Sequence, residues 1–188
     1  FTTEARSTFD RSAGWYAPNA VQHPDGRWLI WGWVRGWEAG RGWNGCLAFP
    51  RQAWVDEAGV LRQRVLDEVA SLRGERIQLD RTARAPDTCL DIAIDTKRPL
   101  TALRLSIEQP QGTATVALAG GVLEWPGGSL PLEEPITRLR WLVDRSVSEV
   151  VVNERVAATT VTPLGRGEAT RRWSGDAEPR VHMLRPIW

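Results

Sequence analysis

Residues 28–51 read WLIWGWVRGWEAGRGWNGCLAFPR and hold five of the chain's 11 tryptophans. The first part of this segment alternates, which places Trp31 and Trp33 on the same face of a strand. The residues between them and around them are also apolar, so both faces of the strand avoid water. This pattern predicts an inner strand of a sheet that is covered on both sides. The glycine-rich loop that follows carries Trp37 and Trp43, and exposed indoles on loops commonly contact a ligand or a partner.

Length and charge limit the classes of protein that fit. With 188 residues, 42% of them hydrophobic, the chain is long enough for one domain or two small ones. The net charge of +1 argues against nucleic acid or an anionic membrane as an obligate partner. No run of like charges forms a patch, so the arginines are expected to be solvated. No apolar segment approaches the roughly 20 residues that span a bilayer.

The two cysteines and two histidines suggest no metal site or cofactor. Cys46 and Cys89 lie far apart and form no Cys-x-x-Cys pair, which argues against zinc. Each has apolar neighbours and is expected to be a small buried hydrophobe, while a disulfide between them stays open. His23 lies in a turn and His182 in a terminal strand, and neither is expected to be catalytic.

The first part of the chain predicts an antiparallel meander. Within residues 9–55 three strands are expected, near residues 15–22, near 27–34 and beginning at 45–49, and a fourth is expected over 60–66. Residues 67–73, DEVASLR, predict a short helix that ends at Gly74.

The second part predicts an antiparallel β-sandwich, because short alternating strands follow one another without a long helix. Its expected core faces are Leu90, Ile92 and Ile94; Leu103, Leu105 and Ile107; Val116 and Leu118; and Leu139, Trp141 and Val143. The whole chain is therefore predicted to be all-β, with residues 1–66 in a first unit, a linker over 67–75 and a sandwich over 76–188.

Several segments together resemble glycoside hydrolase family 32. In the first unit these are WYAPN (15–19), DGR (25–27), WGW (31–33), GWNGCL (42–47) and Pro50-Arg51. Leu61-Arg62-Gln63, Glu68 and Leu72-Arg73 resemble the family's linker, and Asp144-Arg145-Ser146, Glu149-Val150 and Val152-Asn153 resemble its sandwich signature. The closing Ile187-Trp188 resembles its C-terminus.

The resemblance implies the last blade of a five-bladed β-propeller followed by the C-terminal sandwich. It also implies cleavage of β-fructosidic bonds in sucrose or a fructan, with retention by a pair of carboxyl groups. The family's Asn-Asp-Pro-Asn-Gly, Arg-Asp-Pro and Glu-Cys motifs are absent from this sequence. The expectation is therefore a chain that begins inside a longer reading frame, lacks the catalytic carboxylates and is inactive alone. Its partners would be the missing blades, and its compartment stays open.

The candidate substrate-binding residues are Tyr16, Trp33 and Trp37. The resemblance places Tyr16 at the pocket rim and Trp33 beside the sugar, and Trp37 flanks the glycine loop where an outer wall would stand. Plain core packing remains the alternative for Tyr16 and Trp33. Trp31 is expected in the core, and Trp43 is expected to be structural rather than a rim contact.

Two pairs of carboxylates are expected not to be catalytic. Glu133 and Glu134 precede Pro135 and predict a solvated turn. Asp144 and Glu149 are an odd number of residues apart, which in one regular strand would place them on opposite faces.

Two other classes of function remain open: a non-catalytic carbohydrate-binding sandwich, and a docking platform. The apolar blade also predicts self-association.

Overall fold

The computed structural model describes residues 8–40, 42–77 and 81–185. Over these residues the regular secondary structure is almost entirely β-strand, which confirms the predicted all-β class. One 3₁₀ helix, Asp67–Leu72, separates a five-stranded sheet from two six-stranded sheets. Within the described ranges no helix has the length and apolarity to cross a membrane.

The five-stranded sheet, called the blade below, confirms the predicted meander. Its strands are β1 (Trp15–Gln22), β2 (Trp28–Val34), β3 (Cys46–Leu47), β4 (Arg51–Val55) and β5 (Leu61–Val65). They pair antiparallel in the order β1-β2-β4-β5, with β3 also on β2, so β2 is the inner strand that its sequence predicts. The third predicted strand is divided into β3 and β4 around Pro50, since proline has no N–H for a ladder.

The helix predicted over 67–73 is present as the 3₁₀ helix, although Gly74 does not end it. Arg73 is already extended, with φ −65° and ψ 122°. The next strand, β6 (Arg73–Ile77), pairs with the last strand of the sandwich. Residues 73–75 of the predicted linker are therefore strand residues.

The predicted sandwich is present as two facing six-stranded sheets. The inner sheet, in the order β15-β14-β13-β8-β17-β6, adds β8 (Cys89–Leu100), β13 (Ile136–Asp144), β14 (Val147–Val152), β15 (Val156–Val161) and β17 (Arg180–Leu184). The outer sheet, in the order β12-β11-β10-β9-β16-β7, contains β7 (Thr82–Ala85), β9 (Ala102–Gln109), β10 (Gly112–Ala119), β11 (Val122–Trp125), β12 (Gly128–Pro131) and β16 (Ala169–Gly175). All the core positions predicted from alternation are buried.

The blade packs on the inner sheet, whose other face meets the sandwich core. Val65, Leu66 and Val69 form one apolar cluster with Leu142 and Val151 of the inner sheet. A second cluster joins Val34 and Ala48 of the blade to Val147. Since each large buried apolar side chain contributes roughly 1.5–3 kcal/mol, these clusters hold the two units together.

Candidate carbohydrate site

Tyr16 and Trp33 are neighbours on adjacent strands of the blade. They are direct cross-strand partners, with ring centroids 6.4 Å apart and planes at 57°. The register of β1 shifts immediately after Tyr16, where Ala17 has a φ of 46°. Tyr16 is 51% exposed, and the Arg35 guanidinium lies 4.4 Å from its ring centroid. The phenol is thus held at the surface by a cation–π contact and is open to a ligand.

Trp33 is half-buried and forms the support behind Tyr16. Its indole lies on Gly45, where a Cβ would collide with the ring and where φ is +118°. Only glycine meets both requirements without strain. Trp33 also faces Leu47 across the sheet, so the GWNGCL segment fixes the position of this indole.

Trp37 is anchored on the sandwich. Its Nε1–H donates to Ser146 Oγ at 3.1 Å, and its half-buried ring packs against the cluster of Val34 and Val147. Its exposed edge meets Trp43, with centroids 5.0 Å apart and planes at 66°. The three predicted residues therefore fall into two aromatic pairs, Tyr16 with Trp33 and Trp37 with Trp43.

Trp43 is the more accessible indole of the second pair, at 50% exposure. Together with Trp37 and the glycine loop it lines an open depression of about 370 Å³. Apolar sugar C–H faces pack on such rings, so Trp43 is a better platform than the sequence suggests. The sequence feature that could have indicated this exposure is the position of Trp43 in a glycine-rich loop.

Sequence reasoning missed the buried charge cluster between the blade and the sandwich. Arg51 is 0% exposed, so the expectation that the arginines are solvated is wrong at this position. Its NH1 donates to Asp10 Oδ2 and Gln63 Oε1, both at 3.0 Å. Its NH2 donates to Glu149 Oε2 at 2.9 Å and to Thr159 Oγ1 at 2.5 Å. We call these five residues the Arg51 cluster; three of them, Arg51, Gln63 and Glu149, lie in segments of the family resemblance, which gave no sign that they meet.

The two carboxyl groups of this cluster have opposite pKa shifts. Burial favours the neutral form of both. For Asp10 the charge of Arg51 and hydrogen bonds from Ser12 and Thr159 outweigh burial, and the pKa lies below its usual value. For Glu149 burial prevails over Arg51 and the Phe49 N–H, and the pKa is raised.

A raised carboxyl pKa often marks a catalytic acid. Glu149 is 1% exposed, and the protein itself occupies its oxygens. The group therefore joins the two units instead of facing a substrate.

The predicted opposite orientation of Asp144 and Glu149 is wrong, because the chain reverses between them. Arg145, with φ 52°, begins the turn between β13 and β14. Glu149 lies opposite Leu142, and Asp144 lies opposite Val147. Cross-strand partners share a face, so both carboxylates lie on the side of the inner sheet that meets the blade.

The cysteines differ from expectation as well. Both are free; Cys46 is exposed rather than buried, and Cys89 is half-buried. Burial and the neighbouring Asp144 carboxylate raise the pKa of Cys89 to about 12, and its Sγ lies 3.3 Å from Asp144 Oδ1. Although Cys46 as a residue is exposed, partial desolvation of its thiol and the nearby Glu149 carboxylate raise the pKa of Cys46 to about 11. Neither thiol is a nucleophile near neutral pH.

Across residues 8–40, 42–77 and 81–185 no three His, Cys, Asp or Glu side chains converge as metal ligands. The arrangement therefore offers aromatic surfaces and a fixed joint between two units. Its described carboxylates with strongly shifted pKa values take part in ion pairs or hydrogen bonds within the protein.

Comparison with known proteins finds sequence similarity in the first unit. Residues 1–65 match the family model of the glycosyl hydrolases family 32 N-terminal domain. The chain is 37% identical over 57 residues to the insoluble β-fructofuranosidase isoenzyme CWINV3 of Arabidopsis thaliana, covering 27% of this chain and 10% of that protein. It is 36% identical over 69 residues to the raffinose invertase of Escherichia coli, covering 34% of this chain and 14% of that protein.

The fold comparison extends the similarity to the sandwich. The Bombyx mori family 32 β-fructofuranosidase BmSUC1 superposes with a TM-score of 0.77 and 19% identity, covering 95% of this chain and 42% of that one. A mutant of the same protein in complex with sucrose gives a TM-score of 0.76 at 18% identity, with the same coverage. The chain thus spans less than half the length of these structures. The predicted architecture of a propeller blade followed by a β-sandwich is confirmed, since the chain shares this fold with the family 32 structures over 95% of its length.

Proposed function

We propose that this chain is the C-terminal part of a glycosidase that cleaves β-fructosidic bonds in sucrose or a fructan with retention. The observation that carries the proposal is the match of residues 1–65 to the glycosyl hydrolases family 32 N-terminal domain, together with segments of the chain similar to two fructoside-cleaving relatives and a fold shared with a family 32 β-fructofuranosidase over 95% of the chain. Sucrose is bound by one of those structural relatives. A fructose-containing saccharide is therefore the substrate class that the similarity favours.

In this proposal the chain supplies binding surfaces, and carboxylates outside it supply the chemistry. A retaining glycosidase needs a nucleophile and an acid/base about 5 Å apart. The family's motifs for both are absent from the sequence. Preceding blades would provide them, and the 188-residue chain alone would be inactive.

The aromatic pairs would form part of the wall of the sugar pocket. Tyr16 would contact the fructosyl unit, with Trp33 fixing its position from behind. Trp37, tied to Ser146, would hold Trp43 at the rim. The sandwich would thus position a binding residue of the blade, which gives it a role in substrate recognition.

Fructose release from sucrose, inulin and levan tests this proposal. The polypeptide encoded by the full reading frame should release fructose, while the 188-residue chain should not exceed a heat-treated control. Tyr16→Ala in the full polypeptide should raise KM more than it lowers kcat, since a binding contact is lost. Tyr16→Phe is the matched control, because it keeps the ring.

Two results would contradict the proposal. Fructose release by the 188-residue chain would show that the catalytic groups lie within it. Sugar binding without hydrolysis by the full polypeptide would favour a non-catalytic carbohydrate-binding module instead.

A further inference from the structure

Arg35 lies beside the candidate sugar site, just after the end of β2. It follows Trp33 by two residues, so alternation places both side chains on the same face of the blade. Tyr16 is the direct cross-strand partner of Trp33 and shares this face. The Arg35 guanidinium lies over the Tyr16 ring, with Cζ 4.4 Å from the ring centroid. The register and the contact therefore agree that these three side chains form one surface.

Three contacts hold the Arg35 side chain over Tyr16. The backbone N–H of Arg35 donates to the Gly14 carbonyl at 2.9 Å. Its Nε–H donates to the Ala13 carbonyl at 3.3 Å, and the Tyr16 ring supports the guanidinium by a cation–π contact. A side chain that is fixed in this way has lost much of its rotamer freedom before a ligand binds, so binding costs less conformational entropy.

The guanidinium of Arg35 keeps donors for a ligand. Within residues 8–40, 42–77 and 81–185, its NH1 and NH2 atoms have no hydrogen-bond partner, and no carboxylate oxygen lies within 4.0 Å of them. Arg27 and Arg62 of the same blade differ in this respect, because their guanidinium groups pair with carboxylates. A guanidinium carries its N–H donors in a fixed fork. Arg35 is exposed, so this fork is accessible beside the aromatic surface.

The neighbouring side chains on this face are aromatic or aliphatic. Leu47, which is the cross-strand partner of Trp33 on β3, is 69% exposed. Arg35 and the Tyr16 hydroxyl add polar groups to this apolar surface. A saccharide matches such a surface, since its C–H groups pack on apolar side chains and its hydroxyl oxygens accept hydrogen bonds.

We propose that Arg35 is a specificity-determining residue of the candidate sugar site and donates hydrogen bonds to two neighbouring hydroxyl oxygens of the bound fructoside, a role that rests on the function proposed above. Tyr16 then has two tasks, because it contacts the ligand and also carries the guanidinium. A saccharide that lacks one of the two hydroxyls binds more weakly, since a charged donor is left without its acceptor.

Fructose release from sucrose by the polypeptide of the full reading frame tests this contact. Arg35→Met keeps much of the side-chain length and removes the donors, so it should raise KM about tenfold or more and change kcat by less than about twofold. Arg35→Lys keeps the charge without the fork, and its KM should lie between those of Arg35→Met and the unaltered protein. It also serves as the test variant if circular dichroism shows that Arg35→Met is not folded.

Arg64→Met is the matched control. It also removes an arginine that lies over an aromatic ring, with the Arg64 Cζ 5.6 Å from the Trp54 centroid. Arg64 lies on β5, however, which β2 and β4 separate from β1. Its replacement should leave KM unchanged, and an equal rise in KM for Arg64→Met and Arg35→Met would overturn the proposal.

Sucrose analogues that each lack one hydroxyl distinguish a direct contact from mere support of Tyr16. With the unaltered polypeptide, at least one analogue should have a KM about tenfold higher than that of sucrose. With Arg35→Met this difference should disappear, because the donor and its acceptor form a coupled pair. If every analogue loses as much with Arg35→Met as with the unaltered polypeptide, Arg35 acts only on the structure and the proposal is wrong.

Failure of the proposed function has a different signature. If the full polypeptide releases no fructose, that function fails, and the dissociation constant for sucrose, measured by calorimetry, replaces KM in the same comparisons. Sucrose binding that Arg35→Met weakens about tenfold would then support the role of Arg35 without the hydrolysis. An unchanged KM or dissociation constant in Arg35→Met, or neither hydrolysis nor binding of sucrose, would overturn the proposal.

Discussion

Replacing Arg51 by methionine should destabilise the protein at the contact between the blade and the sandwich. The Arg51 guanidinium is completely buried and donates to Asp10, Gln63, Glu149 and Thr159. These acceptors come from the segment before β1, from β5 and from the inner sheet. Methionine keeps much of the side-chain volume and removes every one of these hydrogen bonds.

The expected loss is about 3–5 kcal/mol of unfolding free energy, because removing one partner of a buried ion pair leaves its counter-charge unpaired. Two carboxyl groups are affected. Glu149, whose pKa burial already raises, can take up a proton, which limits the cost. Asp10 has a lowered pKa and depends on the charge of Arg51. Removing Arg51 therefore destabilises mainly the buried Asp10 carboxylate and the contact between β4 and the sandwich.

Urea unfolding of the 188-residue chain, followed by tryptophan fluorescence and circular dichroism, measures this loss. Arg84→Met is the matched control: its ion pair with Glu168 is 3.7 Å long, with side chains 84% and 74% exposed. Such a surface pair contributes at most about 1 kcal/mol. The reasoning is refuted if Arg51→Met costs less than about 1 kcal/mol or no more than the control.

A milder variant serves if Arg51→Met does not fold. Thr159→Val removes one hydroxyl, which accepts from Arg51 and donates to Asp10 Oδ2 at 2.8 Å. Leaving these buried partners short of one bond should cost about 1–3 kcal/mol. A neutral result for Thr159→Val would also contradict the account of this cluster.

Two further predictions follow from the inner sheet and the blade. Asp91 is 0% exposed and its pKa is lowered, since Arg140 and Arg73 outweigh its burial. Its contribution to stability is therefore present above about pH 4 and is lost as the pH falls through the lowered folded-state pKa. The Asp91→Asn variant should have a lower free energy of unfolding in urea at pH 7, and it should lose less of that free energy on acidification than the unaltered chain. Equal loss of stability in acid would contradict this. The 188-residue chain should self-associate or bind a hydrophobic dye through the apolar blade, and the double variant Trp31→Ser/Trp33→Ser should reduce both. A sharp monomer peak in sizing chromatography without dye binding would mean that the blade is covered.

The strands of this fold were predictable because alternation is a local property. Leu90, Ile92 and Ile94 are buried as their spacing requires, and the meander around Trp31 and Trp33 has the expected order. What failed on this sheet is a tight turn that alternation alone does not reveal. The parity rule for Asp144 and Glu149 assumed one strand, whereas a hairpin lies between them.

The candidate site was predictable only in part. The family resemblance pointed to the aromatic residues, but exposure is set by tertiary neighbours. Trp37 found a partner in Ser146, 109 residues further along the chain, and this left Trp43 as the accessible indole. No local pattern distinguishes Arg51, with its four buried acceptors, from a solvated arginine.

The most direct test of the central claim is to sequence the transcript upstream of the codon for Phe1. If the chain is the C-terminal part of a retaining β-fructosidase, the same reading frame should continue upstream and encode Asn-Asp-Pro-Asn-Gly, Arg-Asp-Pro and Glu-Cys, which supply the carboxyl groups that the reaction needs. A start codon and signal peptide immediately before Phe1, with none of these motifs in frame, would contradict the claim and leave a carbohydrate-binding module as the better account.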